Sequence, residues 1–127
     1  MKPACIAILS ATVALTGFVD NVAAQSCNSL SSYVEDARDY LRKAQRDSNL
    51  NSAKEYARRA KGELEDAETA ANSCRCGNAA SDFDDAARHA RRARDASSSE
   101  EFADELRRSV RDFNSALDNL KGCVRRR

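Results

Sequence analysis

Cys27 and Cys74 stand 47 positions apart, as do Cys76 and Cys123, and only Arg75 separates the two blocks. Two cysteine spans of one length, laid end to end, imply a single structural unit used twice: repeat 1 over 27–74 and repeat 2 over 76–123. Sliding the chain against itself by 49 residues tests this without a gap. The shift pairs Cys27 with Cys76, Asp36 with Asp85, Arg42 with Arg91, Arg58 with Arg107, Ala67 with Ala116 and Cys74 with Cys123. Since Ala, Arg, Asp and Ser dominate the composition, the register of the apolar positions carries more weight than the identities. Leu30, Val34, Ala37, Leu41 and Ala44 meet Ala79, Phe83, Ala86, Ala90 and Ala93. Later, Ala53, Ala57, Leu64, Ala67, Ala71 and Cys74 meet Phe102, Leu106, Phe113, Ala116, Leu120 and Cys123. The steps alternate between three and four, as on the buried stripe of a helix packed in coiled-coil fashion.

Residues 1–24 are of a different kind. Lys2 gives a positive start, Ala4 to Val19 is an apolar run, and Val22, Ala23 and Ala24 are small residues before Gln25. This pattern reads as a secretory signal peptide cleaved after Ala24. A retained membrane anchor is the competing reading, but an apolar run of about 16 residues ended by Asp20 falls short of the roughly 20 needed to span a bilayer. Ala24, Gln25 and Ser26 also lack the pattern expected before a lipidated cysteine. Cys5 leaves with the leader, so the mature chain, 25–127, carries an even number of cysteines and no transmembrane span.

That mature chain is about the size of one domain. Its large apolar residues are scarce, and 32% of the whole chain is charged, a combination that would point to disorder without the periodicity. Ala, Arg, Glu and Leu favour helix, the only proline is Pro3, and no alternating strand pattern appears. The expectation is an all-α fold of four helices at about Ser29–Asp47, Ser52–Ser73, Asn78–Ala96 and Ser98–Gly122. Ser52 with Glu55 and Ser98 with Glu101 form capping-box pairs, and Gly122 is the expected left-handed cap of the last helix. Short links make consecutive helices antiparallel, so the chain is expected to form an up-down four-helix bundle from two helical hairpins with all four cysteines at one pole.

Three pairings of these cysteines are possible. Repeat symmetry favours Cys27 with Cys74 and Cys76 with Cys123, each stapling one hairpin. The crossed pairing, Cys27 with Cys76 and Cys74 with Cys123, would tie the hairpins together, and a Cys74–Cys76 ring would be strained. Four thiolates at one pole could instead hold zinc or copper(I). An exported chain meets an oxidising compartment, however, and neither a CxxC pair nor a histidine cluster accompanies them, which favours disulfides and no metal.

Catalytic constellations are missing. His89, the one histidine, sits beside the Ala90 seam in an arginine-rich helix and reads as a solvated residue, with Asp85 and Arg92 as neighbours. Asp39 with Lys43, Glu55 with Arg59, Asp84 with Arg88, Arg91 with Asp95 and Asp104 with Arg108 stand four apart, the spacing of ion pairs on a helix face rather than of acid–base catalysts. No phosphate loop, HExxH or GxSxG is present.

Two surfaces remain. After the leader arginine outnumbers lysine by 16 to 4, and 19 acidic residues are interleaved with the 20 basic ones. Alternating charge reads as a solvated face; Arg88, Arg91 and Arg92, and the acid-free tail Arg125, Arg126 and Arg127, are the candidate anion-binding residues. Tyr33 and Tyr40, seven apart, with Tyr56, form a candidate partner surface, or else widen the apolar face while their hydroxyls stay wet. The sequence therefore points to a secreted or periplasmic helical structural or protein-interaction module without catalytic activity or cofactor. Its expected partner is another protein or a second copy of itself. The alternative is a binder of an anionic envelope polymer or surface, with no specific nucleic acid; a metal-binding protein using the clustered cysteines comes third.

Overall fold

The computed structural model describes residues 27–125, which form four α-helices and no strand. Helix α1 spans 27–46, α2 Leu50–Ser73, α3 Gly77–Arg94 and α4 Ser99–Arg125. The leader and its cleavage point after Ala24 lie outside the described residues, as do Arg126 and Arg127. No helix among the described residues is long and apolar enough to cross a membrane.

Local chemistry sets the helix limits. Asn49 caps α2, its side-chain oxygen accepting the backbone N–H of Ser52, and Asp47 accepts the N–H of Asn49 in turn. The cap therefore falls three residues before Ser52, the expected one, because an amide oxygen already stands where it can satisfy an orphan N–H. At α4 the Ser98 hydroxyl accepts the N–H of Glu101, and the Glu101 carboxylate reaches back to the N–H of Ser97. This is the expected capping box with its return bond shifted by one residue. Acidic Glu100 and Glu101 in the first turn of α4, and Arg91, Arg92 and Arg94 in the last turn of α3, offset the partial charges at those helix ends. Gly122 is not a left-handed cap: α4 runs past it to Arg125, and no glycine has a positive φ among the described residues.

The sharp exit is at Arg75. There the N–H of Cys76 bonds to the carbonyl of Ala71 and that of Arg75 to Asn72, the pair of bonds that closes a Schellman turn. Arg75 holds the left-handed position with φ 62°, where an L side chain is strained.

Two bridges flank this turn. Cys27 is joined to Cys74 and Cys76 to Cys123, with Cα separations of 5.3 and 5.8 Å. Helix α3 packs against both α2 and α4, whereas α2 and α4 scarcely meet. Helix α1 reaches α2 through its bridge and the Tyr40–Tyr56 ring pair, and α4 through Arg38 over the Phe113 ring.

The core is thin. On α2 the buried face is Ala53, Ala57, Ala60, Leu64, Ala67, Ala70 and Ala71, and on α3 it is alanine apart from Phe83. The bulk comes from Leu30, Val34 and Leu41 on α1 and from Phe102, Leu106 and Phe113 on α4. Phe83 and Phe113 meet at 6.3 Å between ring centres. Only Phe83, Leu41 and Leu64 precede a serine, Ser109, among the largest side chains that are fully buried. Small faces on α2 and α3 are thus matched by larger ones on α1 and α4.

Arg75→Gly should stabilise the oxidised protein by about 1 kcal/mol, because glycine occupies the left-handed region without the Cβ clash. Denaturant unfolding measures this; a loss of stability would show that the arginine side chain contributes more than the turn costs.

Candidate functional site

The tyrosine surface acquires a definite geometry. On the face shared by α1 and α2, the rings of Tyr40 and Tyr56 stack with centres 6.5 Å apart and planes 26° from parallel. Lys43 Nζ stands 5.8 Å from both ring centres, and the Arg59 guanidinium lies 5.9 Å from that of Tyr40. Both tyrosines are half-buried. A stacked pair with cations over its faces is a rigid, amphipathic contact surface. Tyr33 is half-buried too, but enters no ring pair among the described residues. Like charges meet at two other places along α2. Burial first, then the nearby carboxylates of Asp36 and Asp66, push the Glu63 carboxyl above the ordinary range. Burial, then Asp84 and Glu65, do the same to Glu68, with Arg88 opposing.

Between α3 and α4 lies a polar cluster that the sequence reading missed. His89 Nδ1 is 3.2 Å from Glu105 Oε1, and His89 Nε2 is 3.5 Å from Asp112 Oδ2. The three side chains are only 15%, 11% and 18% exposed, so His89 is not the solvated residue expected, and its partners are on α4 rather than Asp85 and Arg92. A neutral ring donates to one carboxylate only, an imidazolium to both. Beside them the fully buried Ser109 hydroxyl donates to the Ala86 carbonyl at 2.7 Å. A signal was present in the spacing: Glu105, Ser109, Asp112 and Ala116 follow one stripe of α4, so polar residues occupy seam positions. Among the described residues no group of three or more His, Cys, Asp or Glu side chains is gathered to hold a metal ion.

The arginines divide into two kinds. Arg88 pairs with Asp84 at 2.9 Å, Arg58 and Arg59 with Glu55, and Arg107 and Arg108 with Asp104. Hydrogen bonds from Arg58, Arg94 and Arg107 hold the carboxyls of Glu55, Asp95 and Asp104 below their ordinary values. Asp95 is taken by its neighbour Arg94 at 2.8 Å, not by Arg91 as the spacing implied. Arg91 and Arg92 are exposed and enter no salt bridge among the described residues. Arg125 is the last residue of α4, apart in sequence from this group.

The cysteines line a small apolar cleft of about 270 Å³ with Leu30, Val34 and Leu120, into which Cys27, Cys74 and Cys76 all face. All four cysteines among the described residues are in bridges, so holding a metal with them would require the reduced chain.

Compared with known protein families, with curated proteins and with solved structures, the chain finds no match.

A carboxyl held high by burial and like charge destabilises the fold when ionised. For Glu63 the penalty is absent below the ordinary glutamate range, grows as pH rises toward the raised folded value, and is complete above it. Glu63→Gln should therefore raise the melting temperature at neutral pH, and the gain should shrink and vanish on acidification through that window. Thermal unfolding at stepped pH checks this; a variant less stable at neutral pH would contradict it.

Proposed function

We propose that this is an exported helical module whose role is to bind another protein, without catalysis. The supporting architecture is an antiparallel up-down four-helix bundle made of two related hairpins, 27–74 and 76–123, each closed by its own bridge. Several pairs of features 49 residues apart support this. The caps Asn49 and Ser98 correspond, as do the two bridges. Leu30 with Ala79, Val34 with Phe83, Leu41 with Ala90, Ala57 with Leu106 and Leu64 with Phe113 are buried in both members of each pair. Export, cleavage after Ala24 and a secreted or periplasmic location are supported by the leader pattern and by the two disulfides, which persist in oxidising compartments.

One observation carries the binding reading: the same place in the two hairpins holds different chemistry. Tyr40 and Tyr56 lie 49 residues before His89 and Glu105. In the second hairpin that position is a mostly buried polar contact. In the first it is a half-exposed aromatic stack with cations over it, the composition that enriches interface hot spots. The runner-up, a binder of anionic envelope polymers, is favoured by Arg91 and Arg92, which are exposed and enter no salt bridge among the described residues, and by the acid-free tail Arg125 to Arg127.

Affinity capture from the native exported fraction, with the full oxidised chain as bait, separates the two. The interaction reading expects a saturable protein partner that is lost with Tyr40→Gln and Tyr56→Gln and kept with Arg91→Gln and Arg92→Gln. The reverse pattern, with tight retention on heparin or lipopolysaccharide that falls steeply as salt rises, would favour the anion binder.

A further inference from the structure

At the ends of the helices away from the bridges, Lys54, just past the first turn of α2, extends to the link that follows α3, and its Nζ donates to the backbone carbonyl of Ala96, beyond the Asp95 cap of that helix, at 2.5 Å. A helix C-terminus leaves carbonyls unpaired and carries partial negative charge, so an ammonium is a fitting partner there. The positions 49 residues away are Ala103 and Asp47. Both line an open cleft of about 420 Å³ between the end of α1 and the start of α4. Where the α2–α3 side has a lysine stem, the α1–α4 side has the methyl of Ala103, which cannot span the gap.

The cleft keeps what such a stem needs. Leu50, Phe102 and Leu106 offer apolar walls for methylenes. Asp47 contributes the carbonyl that corresponds to Ala96 and adds a carboxylate, one oxygen of which already accepts the Asn49 N–H. The only cation in the lining, Arg107, is held by Asp104 and lies largely in solvent. The α4 N-terminus beside the cleft carries Glu100 and Glu101 in its first turn, whereas the α2 first turn, which Lys54 follows, carries no acid.

We propose that this cleft receives the lysine side chain of a partner protein, repeating between molecules the contact that Lys54 makes within the chain. The proposal rests on the related-hairpin reading above and names the chemistry of the partner. Amide-shift titration of the oxidised protein tests it, with n-pentylammonium, pentanoate, and blocked Gly-Lys-Gly and Gly-norleucine-Gly peptides as probes. The expected result is saturable shifts confined to the 47–50 and 99–107 segments with pentylammonium and the lysine peptide, and none with the other two. Ala103→Lys, which supplies an internal ammonium at an exposed position, should weaken this binding about tenfold or more, as should Asp47→Asn to a smaller degree. Equal response to pentanoate or norleucine, no saturable shift, or binding of the free amine but not of the peptide would overturn the proposal. Lys54→Ala separates it from the reading beneath it. If that variant gains a new amine site at Ala96 while the native cleft stays silent, the hairpins correspond and the lysine site is wrong. If Ala103→Lys abolishes binding but Lys54→Ala opens nothing, the site stands and the correspondence does not.

Discussion

Alanine burial is the constraint on which the rest of this structure depends. A buried alanine removes about one methyl group from water, near 0.8 kcal/mol, while a fully buried leucine or phenylalanine contributes roughly 1.5 to 3. With α2 and α3 facing their neighbours mainly through alanine, the helices can approach closely, but the apolar area gained per ordered residue is small. The deficit has to be met elsewhere. In the chain-entropy account each bridge, closing a span of 47 residues, contributes about 4 kcal/mol, which is comparable with the whole of a small domain's usual stability of roughly 5 to 15. The bridges tie Cys27 of α1 to the end of α2 and Cys76, just before α3, to Cys123 near the end of α4, and the Schellman turn at Arg75 brings the two staples side by side.

Against that economical core, the few polar interior contacts stand out. Ser109 to Ala86 and His89 between Glu105 and Asp112 hold α3 to α4, whereas aromatic stacking between Tyr40 and Tyr56 joins α1 to α2. Directional contacts of this sort specify which residues face one another, something alanine does poorly because one methyl resembles the next. The repelling carboxylates around Glu63 and Glu68 do the opposite. They are placed where burial is partial, so their cost is tolerable, and they discourage closer packing of those edges.

Much of the helical content was legible in the sequence. The stepping of Ala53, Ala57, Ala60, Leu64 and Ala67 marks the buried stripe of α2, and the lack of proline and strand patterning leaves helix as the only regular structure. Helix ends were less legible. Ser52 was expected to cap α2, but Asn49 competes better from three residues earlier, and Gly122 resembled a cap although the helix continues through it. The left-handed residue is Arg75, a type that propensity would not nominate; the adjacent bridges fix the turn whatever residue stands there. His89 was misread because local spacing shows only its own helix, while its partners Glu105 and Asp112 lie on the next one. The Tyr40–Tyr56 stack could be anticipated as a surface but not as a pair, and Tyr33, in the same sequence register, does not join it.

The most direct test of this account is the unfolding free energy of the oxidised chain set beside that of the chain with one or both bridges removed. Cys27→Ser with Cys74→Ser, and Cys76→Ser with Cys123→Ser, should each lower it by about 4 kcal/mol, and full reduction should leave little cooperative structure. If reduction instead changed the unfolding free energy by less than about 1 kcal/mol, a fraction of the entropic expectation, the alanine core would be sufficient alone, and the account would be wrong.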